Sequence, residues 1–158
     1  MAAVWLSGLS AFALLAGIAW YLAPLQPNIL ALQLAFSPRA FAEVIHAWSA
    51  ADMLRYRAHL PYDYLLLACY GSFGYLLVSR SALFAAQPAA LRNFAMWLLP
   101  LAAACDATEN AFHWWLTEVP RFDIAWVYGV SAACAAGKWL LLLGFWLAVL
   151  YALDRRRD

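Results

Sequence analysis

Charged residues are scarce in this chain, and their scarcity excludes most classes of soluble protein. Asp, Glu, Lys and Arg make up 12% of the 158 residues, whereas 67% are hydrophobic. Soluble domains are roughly a quarter charged and about half apolar, so the composition predicts an integral membrane protein. The formal net charge of +1 supplies no basic surface, and we therefore expect no nucleic-acid partner.

Cysteine is also rare, and its distribution gives no sign of disulfide or metal chemistry. Cys69, Cys105 and Cys134 each lie inside an apolar run, and no Cys-x-x-Cys pair occurs. We interpret them as small core residues. The chain also lacks the His-Glu-x-x-His, Gly-x-Ser-x-Gly and P-loop motifs, so no familiar catalytic motif indicates a reaction.

Long hydrophobic stretches are what the sequence has in place of charge. Four of them approach the roughly 20 apolar residues that a bilayer crossing requires, at about residues 4–23, 62–79, 94–115 and 124–153. We predict an all-α fold, a four-helix transmembrane bundle that forms a single domain over residues 1–158. The first stretch has no positively charged leader segment, so we expect a retained span.

The segment between the first two stretches has the pattern of a short amphipathic helix. Ser37 is a favoured N-cap, and Pro38 occupies the first helical position, where its missing N–H costs nothing. We predict an amphipathic interfacial helix over about residues 38–58 that covers the outer mouth of the bundle. His46 and His59 lie in this segment and are expected at the surface.

The distribution of arginines between the two sides of the predicted bundle is slightly biased, and this bias predicts its orientation in the membrane. One side of the predicted bundle collects residues 155–157 of the tail together with Arg80 and Arg92. The opposite side carries four arginines: Arg39, Arg55, Arg57 and Arg121. The positive-inside rule then places both termini in the cytoplasm, in what we expect to be a bacterial inner membrane.

A polar group interrupts the third hydrophobic stretch on one helical face. Asp106, Glu109, Asn110 and His113 follow at spacings of i, i+3, i+4 and i+7, which share one side of a helix. A buried charge in a bilayer costs from about 3 to over 10 kcal/mol, so we expect this face to point into the bundle. The second and fourth stretches add polar residues on similar faces: Asp63, Tyr70, Tyr128, Ser131 and Lys138.

Charge balance suggests roles for these residues. Lys138 is the one buried cation expected within reach, and it neutralises one carboxylate, which we predict to be that of Asp106. Another acid must then hold a proton, reach water or bind a cation. We predict that Glu109, oriented by Asn110, keeps its proton near neutral pH, the state that a general acid requires. Asp106, Glu109 and Lys138 are thus the catalytic candidates, and the other polar residues line a cavity.

The polar group also admits a purely structural role and a metal-binding role. Buried polar residues fix helix register in membrane bundles, with each hydrogen bond worth about 1 kcal/mol. Asp106, Glu109 and His113 would alternatively present oxygen and imidazole ligands to a metal ion. Di-iron bundles use Glu-x-x-His motifs on two helices, a pattern that this chain lacks, so we predict neither metal nor cofactor.

Several segments together resemble a group of small, uncharacterised bacterial four-span membrane proteins. They are "LQLAFSP" after the first stretch, "YDYLLLACYG" opening the second, "DATEN" in the third and a single lysine in the fourth. The resemblance covers most of the chain. It implies that the functional positions are Asp63, Tyr70, Asp106, Glu109, Asn110 and Lys138. It implies no activity, and the paired aspartate-rich motifs of known prenyltransferases are missing.

Three functions fit these predictions. The first is a small membrane enzyme or binding protein for a lipophilic small molecule, with Phe73, Phe112 and Trp139 as aromatic walls. The second is a non-catalytic accessory or structural subunit of a larger membrane complex. The third is a proton- or cation-linked carrier, which with four spans would need to form a homo-oligomer. Membrane lipids are expected partners in all three.

Overall fold

Helices account for all regular secondary structure in the computed structural model, which describes residues 1–155. Four helices are long: α1 (Ala2–Leu22), α4 (Ala50–Arg80), α5 (Ala89–Glu118) and α6 (Ala125–Asp154). Between α1 and α4 lie the short helices α2 (Ile29–Gln33) and α3 (Pro38–Ala47), and a 3-10 turn, Ala82–Phe84, precedes α5. The all-α prediction is therefore confirmed. Two arginines of the predicted cytoplasmic tail, at positions 156 and 157, lie outside the described residues.

The start of α4 differs from the sequence prediction. We expected a span from about residue 62 and a separate interfacial helix over 38–58, but α3 ends at Ala47 and α4 begins at Ala50. Ser49 and Asp52 form a reciprocal capping box that starts α4, which satisfies two otherwise unpaired N–H groups. Pro61 lies inside the helix rather than at its start.

The long helices pack side by side in the order α1, α4, α5, α6. Gly71 and Gly74 bring α4 close to α5: a Cβ added at Gly74 would lie 2.5 Å from the Cβ of Leu99. Small residues allow such close helix approach. In the described part of the chain α1 and α6 have no extensive contact with each other, so the row of helices curves into an open arc.

Two apolar cores lie at the opposite ends of the long helices. In the first core, α2, α3 and the first turns of α4 pack against the end of α5 and the start of α6. Its members include Phe41, Tyr56 and Leu116. The other joins the ends of α4 and α6 to the start of α5, around Phe84 and Phe145. Gly8 of α1 faces Phe73 of α4, whose ring centroid lies 6.4 Å from that of Phe145 in α6, so the beginning of α1 and the end of α6 lie at the same end of the molecule.

The surface of the long helices is unusually apolar. Within residues 1–155, α1 and α6 are long and apolar enough to cross a membrane. The other two long helices carry the acids Asp63, Asp106 and Glu109, which reduce their hydropathy. Exposed residues on these helices are nonetheless often large and hydrophobic: Leu65, Tyr75, Phe94, Trp97 and Leu101.

Candidate functional site

Lys138 forms the centre of a buried ionic group between α5 and α6. Its Nζ lies 2.6 Å from Oδ1 of Asp106 and 2.7 Å from Oε2 of Glu109. Only 4% of Lys138 is exposed, and Glu109 is fully buried. The predicted pairing of Lys138 with these acids is thus confirmed, and it includes both of them. We call Asp106, Glu109 and Lys138 the acid–lysine cluster.

Hydrogen bonds from α4 complete the surroundings of the cluster. The Tyr70 hydroxyl donates to Oδ2 of Asp106 at 3.2 Å. The amide nitrogen of Asn110 donates to Oδ2 of Asp63 at 2.6 Å. The prediction that Asn110 orients Glu109 is therefore wrong: Asn110 points toward α4, whereas Glu109 reaches Lys138 on α6. Asp63 thus accepts a hydrogen bond from Asn110, whereas Asp106 accepts hydrogen bonds from Tyr70 and Lys138.

Glu109 has one oxygen with little compensation. Neither Oε1 nor Oε2 has a partner in hydrogen-bond geometry within residues 1–155. Oε2 has its close ionic contact with Lys138 Nζ, whereas Nδ1 of His113 is 3.9 Å from Oε1. That nitrogen instead shares a hydrogen bond with the Tyr56 hydroxyl, at 2.6 Å. Because a buried polar atom without a partner is costly, this oxygen is well suited to carry a proton or to accept a bond from water.

Tyr56 and His59 are site residues that were not predicted from the sequence. Only 3% of His59 is exposed, so the prediction that it lies at the surface is wrong, whereas His46 is exposed as predicted. The Nδ1–H of His59 donates to the Tyr56 carbonyl oxygen. The signal was present in the spacing: His59, Asp63, Leu66 and Tyr70 share one face once α4 extends back through Pro61.

A cavity of about 700 Å³ adjoins the acid–lysine cluster. Its apolar walls come from α1, α4 and α6, and include Leu9, Phe12, Leu66, Phe73 and Trp146. Its polar residues gather near the cluster: Asn28, Gln33, His59, Asp63, Tyr70, Asp106 and Lys138. Phe12 and Trp146 are more than half exposed, so the cavity opens sideways through the gap between α1 and α6.

Some predicted cavity residues lie elsewhere. Tyr128 packs against Phe41 of α3, with ring centroids 5.2 Å apart, and its hydroxyl accepts a bond from the backbone N–H of Arg121. Ser131 is buried, and its hydroxyl has no hydrogen-bond partner in the described chain. Glu109, Asn110 and His113 lie behind the cavity wall, and Phe112 packs with the core beneath α3. Phe73 and Trp139 do line the cavity.

The cover of the cavity also differs from the prediction. We expected the helix after Pro38 to lie over the mouth, but α3 packs through Phe41 against His113 and Tyr128. It is α2 that borders the cavity, where the indole N–H of Trp139 donates to Gln33 Oε1 at 3.4 Å. A five-residue helix is too short for its hydrophobic periodicity to be recognised in a sequence.

The chemistry of the cluster follows from its charges. Within residues 1–155 no group of three or more His, Cys, Asp or Glu side chains is arranged to hold a metal ion. The ammonium group of Lys138 already lies between the two carboxyl groups that the metal alternative would use. One ammonium neutralises one carboxylate, so a second carboxyl in this dry position is best accommodated with a proton.

Comparisons with known proteins add no assignment. No protein-family model matches the chain, and neither a curated protein nor a solved structure shows significant similarity to it.

Proposed function

We propose that the chain is an integral membrane protein in which α1, α4, α5 and α6 all cross the bilayer as a four-helix bundle. The apolar character of α1 and α6 and the exposed hydrophobic residues of α4 and α5 support this. In a bacterial inner membrane, the end that carries Arg80, Arg92 and Arg155 would face the cytoplasm. The end formed by α2 and α3 would face outward.

We further propose that the cavity binds a lipophilic ligand whose head meets the acid–lysine cluster. The observation that carries this proposal is the direct connection between an apolar cavity of about 700 Å³ and two buried, paired charges, Asp106 and Lys138. Ligand sites typically have 300–1,000 Å³ and mostly apolar walls with a few polar groups. The gap between α1 and α6 gives a hydrocarbon chain lateral entry from the membrane.

The cluster divides into residues that reach the ligand and one that supports them. Asp106 and Lys138 line the cavity, so they border the ligand head, and the Asp106 carboxylate can exchange a proton with it. Glu109 lies behind them and holds Lys138 at 2.7 Å, so its proposed role is to position the lysine and keep its charge compensated. Asp63 and Tyr70 line the same end and orient the head.

Co-purified lipid tests this proposal. Ala19 lines the cavity, and Ala19→Trp is designed to obstruct it, whereas Ala16→Trp changes an exposed position on α1 outside the cavity wall. Native mass spectrometry of each purified protein should show bound lipophilic molecules in the wild type and in Ala16→Trp, and a large loss in Ala19→Trp. Equal occupancy in the two variants would contradict the proposal.

A structural role for the cluster is the second candidate, and one observation favours it. Lys138 is held by two carboxylates at 2.6 and 2.7 Å, a degree of pairing that would fix the register of α5 against α6 without any ligand. If the cluster has this structural role, we propose that the chain is an accessory subunit of a membrane complex. Ala19→Trp would then leave both the protein and its partners unaffected.

A further inference from the structure

The polar end of the cavity consists mainly of groups that accept hydrogen bonds. The two strongest donors there are largely engaged: the Tyr70 hydroxyl by Asp106, and two of the three N–H groups of Lys138 by Asp106 and Glu109. Asp63 has one oxygen bonded to Asn110, which leaves its other oxygen available. The atoms that this end presents to a ligand are therefore largely acceptors.

His59 gives independent evidence that a donor belongs here. It is only 3% exposed, it lines the cavity, and its Nδ1–H is used by the Tyr56 carbonyl. Its Nε2 has no hydrogen-bond partner within residues 1–155. With its proton on Nδ1, the neutral ring of His59 offers Nε2 as an acceptor, and a ligand in the cavity that donates an N–H or O–H can bond to it.

Net charge distinguishes between the possible donors. Asp63, Asp106 and Glu109 contribute three carboxyl groups near one ammonium, that of Lys138. Even with one proton on the acid–lysine cluster, the sum is one negative charge. A cationic head cancels this charge, whereas an anionic head such as a phosphate adds to it. Gln33 also offers amide N–H groups, so an uncharged hydroxyl head is the competing ligand.

The shape of the cavity limits the tail. Lys138 and Trp146 lie eight positions apart on α6 and both line the cavity, which corresponds to about 12 Å along a helix. This length is less than half of the roughly 30 Å hydrocarbon thickness of a bilayer. One hydrocarbon chain lying between α1 and α6 fits this space.

We infer that the ligand is a single-chain amphiphile with a protonated amine head, which binds between Asp63 and His59. Its ammonium group donates to the free oxygen of Asp63 and to Nε2 of His59, and its tail follows the walls of α1 and α6. This inference rests on the proposed function for the presence of a lipophilic ligand, and it specifies the head group.

Three probes with the same tail test the head group. Dodecylamine, dodecanol and dodecyl phosphate are titrated onto the full chain in nanodiscs of phosphatidylcholine, and each dissociation constant is taken from the shift in thermal stability. Ala19→Trp, in which the cavity is obstructed, is the reference for nonspecific partitioning of each probe into the lipid. We expect dodecylamine to bind the wild type about ten-fold more tightly than dodecanol, and dodecyl phosphate to bind least.

Matched charge variants locate the amine. Asp63→Asn keeps an acceptor for Asn110 and should bring dodecylamine to the affinity of dodecanol. Glu43→Gln removes the same charge from an exposed ion pair on α3 and should retain the preference. If Asp63→Asn does not fold, the order of the three probes on the wild type decides alone.

The outcomes separate the two proposals. If dodecanol or dodecyl phosphate binds as tightly as dodecylamine, or if Asp63→Asn keeps the preference, the amine assignment is overturned while lipophilic binding stands. If no probe binds the wild type more tightly than it binds Ala19→Trp, the proposed function fails as well.

Discussion

At the scale of the residue, the position of Lys138 between two acids makes each of the three depend on the others. Lys138→Met would leave Asp106 and Glu109 buried without their cation, and breaking a buried pair costs about 3–5 kcal/mol. We expect a corresponding loss of the free energy of unfolding in mild detergent, followed by circular dichroism. The triple variant with Asp106→Asn and Glu109→Gln should recover much of it. Strictly additive effects would contradict the coupling.

The same charges predict a protonated carboxyl group. One ammonium lies within 2.7 Å of two carboxyl groups, so we expect infrared difference spectra at neutral pH to contain a protonated-carboxyl band. Because Oε1 of Glu109 has no hydrogen-bond partner within residues 1–155, we expect the proton on this residue, and Glu109→Gln should abolish the band. Glu43→Gln, at an exposed acid, is the control. A band that persists in Glu109→Gln would assign the proton to another acid.

At the scale of the helix, the contact between α4 and α5 depends on a missing side chain. Gly74→Ala would bring a Cβ to 2.5 Å from Leu99, so the helices must separate, and overpacking typically costs about 1–3 kcal/mol. We expect a lower melting temperature by circular dichroism. Gly17→Ala, where a Cβ would meet nothing within 4 Å, should be neutral or slightly stabilising. Equal effects of the two changes would contradict this account of the packing.

Helix periodicity explains which elements could be predicted. Asp106, Glu109, Asn110 and His113 follow a helical repeat, so their shared burial was readable from spacing alone. The continuity of α4 was not, because residues 50–58 were expected to belong to the interfacial helix, whereas the capping box at Ser49 starts one helix that runs on through Pro61. α2 has only five residues, which is shorter than the window in which a hydrophobic period can be recognised.

At the scale of the whole molecule, the structure places α3 and the start of α5 at opposite ends of the long helices, which predicts that sites on them are labelled from opposite sides of the membrane. In a background with its cysteines replaced by alanine, Glu43→Cys on α3 should react with an impermeant maleimide from the outside of spheroplasts. Arg92→Cys, at the start of α5, should react only after the membrane is opened. The reverse pattern would show that the proposed orientation is inverted.

The cavity itself was beyond prediction from sequence. Its polar end was expected from the acids and Lys138, but its apolar wall depends on the separation of α1 from α6, which is a property of tertiary packing. α1 carries no charged residue and its apolar residues surround it on all sides, so no periodicity marks the face that lines the cavity. The position of His59 and the role of α2 depend on the same packing.

The arrangement of α1 beside α4 also has a consequence for synthesis. On the proposed membrane topology, α1 enters the bilayer first, and its principal neighbour, α4, begins only at Ala50. α1 must therefore remain stable alone in lipid, and its uninterrupted apolar sequence permits this. Asp106 and Glu109 likewise leave the ribosome before Lys138. α5 must then wait for α6 with its acids unpaired, so insertion of the last helix is the step that brings a cation to Asp106 and Glu109.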